Sequence, residues 1–358
     1  MTIARLSFRH HKWRSQVAVL GSRRTPSTGF AVNIATPLPR LENLLTPDQG
    51  HEHQQLLDGL LQPQACINPK YFYDDRGCEL FTRICQLDEY YPTRTEAAIF
   101  EQCADEISAA LANHAQWIDL GCGDCSKSRR WLERITPARL IGIDIAGDFL
   151  QSCLADIADG HPELECVGVV SDFTQRLDIS RLLAEDPHSP PVFFYPGSSI
   201  GNFARTDALR LLRGIRRHCG ERGQLLIGVD LVKPSHILEA AYDDTEGVTA
   251  AFNLNVLEVV NQLLPADFAA AAFRHQAVYD PRNCRIEMRL VANSPQTVRL
   301  GNTAVRQFQR DEHILTEYSH KYTTTGFSTL LAEAGFGRQQ LWTDPHHWFG
   351  VFLAEPQA

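Results

Sequence analysis

Residues 117–132 read WIDLGCGDCSKSRRWL and combine three kinds of chemistry in one short stretch. Cys122 and Cys125 offer half of a zinc site or a redox pair. Gly121 and Gly123 offer a backbone that a ligand can approach closely. Lys127 offers a cation. Zinc takes about four ligands, and the chain has no second Cys-x-x-Cys and no paired histidine spacing to complete the set. A redox pair explains the thiols and leaves the glycines idle. A nucleotide loop explains more, because an apolar run leads into Gly121-x-Gly123 and a helical stretch follows from Ser126. Doubly wound sheets bind ligands at the carboxyl ends of their strands. A metal is not expected.

Two acids strengthen the nucleotide reading. Asp144 closes the apolar run LIGID, where a carboxylate can accept both hydroxyls of a ribose. Asp172 closes the next run beside Phe173, so a carboxylate and a ring stand ready for an adenine amino group and base face. Both acids could instead cap their loops. A nicotinamide site favours G-x-G-x-x-G, and the third glycine position is Ser126 here. The G-x-x-x-x-G-K-[ST] phosphate cradle is absent as well. An adenosine without a pyrophosphate, as in S-adenosylmethionine, suits this loop best.

The elements that must position these residues alternate. Apolar runs at 117–120, 140–143, 164–170, 192–194 and 225–231 are separated by helical stretches such as 126–134 and 207–218. This pattern predicts an α/β fold with a doubly wound, largely parallel sheet. A helix after Thr95 should place Ile99, Phe100, Cys103, Ala104, Ile107 and Leu111 on one face, with Thr93-Arg94-Thr95-Glu96 supplying hydroxyl caps and an early acid. Beyond Lys233 the rhythm changes. Helices near 237–242 and 248–264 precede the alternating run CRIEMRLVA, in which Ile286, Met288 and Leu290 oppose Arg285, Glu287 and Arg289. Glu287 reads as a surface cross-strand partner of arginines. The segments RQQLWTD and FGVFLAE return to the first sheet as its last two strands.

The chain of 358 residues suits about two domains. Its net charge of −9 argues against a nucleic-acid partner, and it contains no long apolar run to span a membrane. The ten cysteines read as reduced thiols in a cytoplasmic protein. The first 25 or so residues are basic and acid-free, as in a disordered extension or a transit peptide. Residues 26–50 are rich in Pro, Thr and Asn and read as a linker. The expected organisation is an extension and linker over 1–55, a cofactor domain from 97–232 plus 321–358, and a discontinuous α+β substrate domain from 56–96 plus 233–320.

Longer runs carry a specific resemblance. KYFYDDRGCELF, EYYPTRTE, DLGCGDCSKSR, YPGSSIGNF, DLVK, AAYDDTEGVTAAFNLNVL, RIEMRL and LTEYSHKY make the chain similar to the histidine Nα-methyltransferases of ergothioneine biosynthesis over about residues 60–354. The resemblance implies a Rossmann-like class I methyltransferase sheet with a second domain closing over the substrate. It implies S-adenosylmethionine as methyl donor, S-adenosylhomocysteine as product, and L-histidine as substrate, converted by three methylations to hercynine. It further implies that Tyr73, Gly121, Gly123, Lys127, Asp144, Asp172 and Phe173 meet the cofactor. Asn202 and Tyr242 would hold the substrate carboxylate. Tyr90 would sit at the amine as the catalytic residue. Glu317 and Ser319 would grip the imidazole, and Thr249, Phe252 and Met288 would line the pocket.

The residue types fit those roles. Asn and Tyr are neutral donors to a carboxylate, and Glu317 can accept an imidazole N–H. On a strand, Glu317 and Ser319 point the same way. A tyrosine face suits a quaternary ammonium product. No residue stands out as general base. The readings left open are methylation of another amino acid or related amine on the same fold and, on the glycine loop alone, a nicotinamide oxidoreductase. A monomer is expected.

Overall fold

The apolar runs that alternate with helices in the sequence do assemble side by side. In the computed structural model, which describes residues 39–45, 49–302 and 304–357, an eight-stranded sheet has the order β1-β4-β3-β2-β5-β6-β13-β12. Its strands are β1 (Arg40–Asn43), β2 (Gln116–Leu120), β3 (Arg139–Asp144), β4 (Glu165–Val170), β5 (Pro191–Tyr195), β6 (Gln224–Asp230), β12 (Phe336–Thr343) and β13 (Phe349–Pro356). The first six run parallel, while β13 is antiparallel to β6 and to β12. Strand order reverses between β2 and β5, the position at which such sheets open a crevice for ligands.

The central strands are largely apolar because both of their faces are covered. Ile118, Ile141, Val167 and Phe193 pack into one helical layer, and Trp117, Leu140, Cys166 and Phe194 pack into the other. Burying each such phenylalanine contributes about 1.5–3 kcal/mol. The layers are supplied by α3 (Tyr91–Gln102), α4 (Ala104–Ala110), α5 (Ser126–Ile135), α6 (Gly147–Gly160), α8 (Arg205–Cys219) and α11 (Thr324–Glu333).

A separate hydrophobic cluster joins residues between Leu56 and Tyr91 to residues between Leu238 and Ile314. Here α1 (Gln49–Leu60), α2 (Asp75–Ile84), α9 (Ser235–Tyr242) and α10 (Val248–Leu263) accompany an antiparallel sheet of order β11-β8-β7. Its strands are β7 (Phe273–Asp280), β8 (Arg285–Ala292) and β11 (His313–His320), and a hairpin of β9 (Gln296–Leu300) and β10 (Ala304–Phe308) lies between β8 and β11 in the chain.

Three local expectations change. Much of the extension expected over 1–55 lies outside the described residues, but Arg40–Asn43 pair in parallel with β4, and α1 begins at Gln49. A four-residue edge strand with one apolar side chain, Leu41, leaves no alternation to read. The helix expected after Thr95 begins at Tyr91, with Pro92 in its first turn and no side-chain cap, and it gives way at Cys103 to α4. Glu287 is not a cross-strand surface partner. Its two oxygens are gripped by Arg285 and Arg289 of its own strand, at 2.6 and 2.7 Å, and it is buried.

Candidate active site

The strand ends build the first half of the site. Gly121 follows β2 with φ +67, a conformation that glycine adopts freely, and a Cβ there would meet the Phe173 ring at 3.7 Å. Gly123, at φ +51, has open space where its Cβ would be. Asp144 ends β3, and its oxygens accept N–H bonds from Gly123 and Ala146, both at 3.0 Å. Asp172 follows β4 and accepts from Thr174 N at 3.2 Å, from the Thr174 hydroxyl, and from Gln175 Nε2 at 2.9 Å. Both acids therefore brace their loops. A carboxylate oxygen has two lone pairs, so bracing leaves capacity for a ligand.

The Cys-x-x-Cys pair is buried within this loop, and Cys125 sits at the N-terminus of α5 in the left-handed region. A hydrogen bond with Cys125, together with burial, pushes the Cys122 thiol well up, so it is a poor nucleophile at neutral pH. All ten cysteines are unpaired. Among the described residues no group of histidines, cysteines and acids is arranged to hold a metal ion.

Lys127 reaches across to Glu96 on α3, with Nζ 2.6 Å from Oε2. The other Glu96 oxygen accepts the N–H of Gly197 at 2.7 Å. Glu96 is only 1% exposed. Room for it depends on Gly228 of β6, where a Cβ would lie 2.1 Å from Oε1. So Glu96 is not an early helix acid facing the dipole; it ties the glycine loop to the loop after β5.

The second half of the site is a pocket shared between the two sheets. Tyr73, Tyr90, Asn202, Tyr242, Thr249, Phe252, Met288, Glu317 and Ser319 all line it. Phe81, Ile84, Ser198 and Asp230 line it too. The structure thus brings every residue expected at the substrate, and Tyr73 from the cofactor set, to one cavity. Tyr90 packs edge-on against Tyr242, with ring centroids 6.0 Å apart, and against Phe81 at 6.4 Å. Burial raises the Tyr90 phenol well above its ordinary value, so it stays protonated. Asp244 accepts the N–H groups of Val248 and Thr249 at 2.9 and 2.7 Å and fixes the first turn of α10, which presents Thr249 and Phe252.

Glu317 reaches the pocket through a β-bulge. Leu315 pairs with Arg289 but Glu317 pairs with Met288, which leaves Thr316 as the extra residue. An unbroken register would set Glu317 opposite Glu287, on the far face; the bulge turns it inward beside Met288. The Thr316 hydroxyl lies 2.7 Å from Asn253 Oδ1 and 3.0 Å from Met288 O, so its one hydrogen pins the irregularity against them. Burial pushes the Glu317 carboxyl up to about 7, against the pull of Lys321.

The residues that sequence reasoning missed are charged and buried. Asp230 ends β6 and takes Lys233 Nζ at 2.5 Å on one oxygen and Lys321 Nζ at 2.7 Å on the other. The buried Tyr91 hydroxyl lies 2.7 Å from Asp230 Oδ2. Burial alone would raise the Asp230 carboxyl, but Lys321 and Lys233 more than offset this and hold it below the ordinary range. Lys321 also donates to Tyr242 Oη at 2.9 Å and Ser319 Oγ at 2.8 Å. Asp230 and Lys233 lie in DLVK and Lys321 in LTEYSHKY, so the runs were visible while their convergence was not.

Sequence comparison adds the family. A model described as "Histidine-specific methyltransferase, SAM-dependent" matches residues 52–356. The chain is 38% identical over 322 residues to the histidine N-alpha-methyltransferase of Mycolicibacterium smegmatis, covering 88% of this chain and 98% of that one. It is 36% identical over 323 residues to the Mycobacterium tuberculosis protein of the same name, covering 87% and 98%. It is 30% identical over 278 residues to ergothioneine biosynthesis protein 1 of Neurospora crassa, covering 76% of this chain and 31% of that protein. With a glycine loop at the switch point and a model match across most of its length, the chain belongs to the family of histidine-specific, S-adenosylmethionine-dependent methyltransferases.

Proposed function

We propose that this enzyme methylates the α-nitrogen of L-histidine three times, yielding hercynine, the first step of ergothioneine biosynthesis. The observation that carries the reading is one pocket holding a buried acid, Glu317, together with Tyr90, Asn202 and Tyr242, with Gly197 of its lining tied through Glu96 to Lys127 of the glycine loop. Its proposed halves are 97–232 plus 321–358 for the cofactor and 56–96 plus 233–320 for the substrate, in line with the separate hydrophobic clusters.

The donor set suits S-adenosylmethionine. Gly121, Gly123 and Lys127 offer a close backbone and a cation, Asp144 a ribose acceptor, and Asp172 with Phe173 an adenine slot, with Tyr73 closing over from the substrate side. When bound, this cofactor supplies an electrophilic methyl group on a sulfonium. Orienting a nitrogen against such a group can contribute about 7–11 kcal/mol without a covalent enzyme intermediate. Asn202 and Tyr242 would hold the carboxylate, and Glu317 would accept the imidazole N–H.

The amine must shed its proton before it can react. An α-amino group titrates near ~8, and desolvation on burial in the pocket disfavours its charged form. Tyr90 stays a phenol, so its oxygen can accept a hydrogen bond from the amine while its ring face accommodates a methylated cation.

The test is incubation of the purified protein with S-adenosylmethionine and a panel of free amino acids, reading product masses over time. Mono-, di- and trimethylated histidine in sequence is the expected result. Methylation of a different amino acid in preference would overturn the assignment.

A further inference from the structure

Beside the pocket sits a buried cluster of opposite charges. Lys321 and Lys233, with side chains 0% and 1% exposed, share the single carboxylate of Asp230. Asp344 adds a second negative charge beside Lys233, held in place by the N–H groups of His346, Trp348 and Phe349. The other acid facing Lys321 is Glu317, which is not a full counter-ion at neutral pH because burial pushes it up to about 7. A buried ammonium is costly unless its partners compensate it.

The hydrogen-bond directions say where compensation arrives. A lysine ammonium has three donors and no acceptor. Lys321 spends its three on Asp230 Oδ2, Tyr242 Oη and Ser319 Oγ. Tyr242 and Ser319 are 2.7 Å apart, and each hydroxyl has one hydrogen. One of these hydrogens bridges the pair, and the other is left free. Both residues line the pocket, so that hydrogen is available to a guest, with a cation directly behind it.

We propose that Lys321 is a positioning residue that makes this end of the pocket select a carboxylate, so that the enzyme takes the α-amino acid and rejects the corresponding decarboxylated amine. The inference rests on the reading that the pocket holds an α-amino acid, and it extends that reading to a residue outside the lining. Glu317 and Ser319 lie two residues apart on β11, and Lys321 just beyond its end reaches back to Ser319, so the pocket offers a buried acid and a backing cation. A zwitterion with a polar ring matches both.

The experiment measures binding of L-histidine and of histamine, which keeps ring and amine but lacks the carboxylate, to the full-length protein with S-adenosylhomocysteine present. Wild type, Lys321→Gln, Lys321→Met and Lys321→Arg are compared. Loss of the charge should weaken histidine by about 10- to 100-fold and leave histamine and S-adenosylhomocysteine within about twofold. Lys321→Arg should recover most of the preference. If Lys321→Met does not fold, glutamine, which keeps polar contacts without the charge, decides the matter against arginine. A wild type that binds neither compound overturns the functional reading and this inference with it. A wild type that prefers histidine, with Lys321→Gln keeping the same ratio, overturns this inference alone, as does an equal loss of both ligands.

Discussion

The Lys127 ammonium lies 2.6 Å from one oxygen of Glu96, and the other oxygen of the same carboxylate accepts the Gly197 N–H at 2.7 Å. One buried acid therefore connects the loop proposed for the cofactor to the loop that carries Asn202. Glu96→Ala leaves a lysine and a backbone N–H without their partner, a cost of about 1–3 kcal/mol. The expected outcome is weaker binding of S-adenosylhomocysteine and a higher KM for histidine in the same variant. Calorimetry showing that only one of the two ligands is affected would argue against the coupling.

Asp230 makes a stability prediction. Replacing it by Asn leaves two buried ammonium groups without a carboxylate, which should destabilise the fold by about 3–5 kcal/mol. Denaturant melts of Asp230→Asn against wild type measure this. The sign with pH follows from its lowered titration. Its contribution is present above the ordinary carboxylate range and is lost as pH falls through the depressed folded value.

Glu317 behaves oppositely. Its folded carboxyl titrates at about 7 against 4.5 when unperturbed. The folded state therefore holds the extra proton between those values, and the contribution of this group to stability declines as pH rises through that window. Histidine binding should tighten over the same rise, as the carboxylate becomes able to accept the ring N–H. In Glu317→Gln the limb should collapse onto the titration of the substrate ring itself, near ~6.5. An identical pH profile for the two proteins would refute the placement.

Asp144 and Glu317 should separate the two ligands. Asp144→Ala is expected to weaken S-adenosylhomocysteine by about tenfold or more with little effect on histidine, and Glu317→Ala the reverse by about 10- to 100-fold. Equal losses in both variants would mean that the assignments are wrong.

Tyr90→Phe keeps the ring and removes a neutral hydroxyl, a loss of about 0.5–1.5 kcal/mol. Histidine should still bind, while the balance of mono-, di- and trimethylated products shifts, because the hydroxyl meets an amine whose N–H groups disappear one by one. A mass-spectrometric time course that matches wild type would dismiss this role.

The parallel sheet was legible because each central strand is buried on both faces and must be largely apolar, and the glycine loop was legible because its position after β2 follows from that sheet. β1 was not, since an exposed edge of four residues has no pattern to detect. The local run around Glu96 suggested a helix start, and nothing nearby reveals that its carboxylate is spoken for by Lys127 and Gly197.

What the sequence by itself determined is the alternation of elements, the acids at the ends of β3 and β4, and the family likeness of the runs around Tyr90, Asn202 and Glu317. Tertiary structure alone decided which side Glu317 faces, because a single extra residue at Thr316 inverts the period-two alternation that a strand pattern assumes. It also decided that Lys233 and Lys321, far apart in the chain, meet on Asp230. Buried charges are stable only when partners converge from distant segments, and that convergence is a property of packing rather than of local residue order.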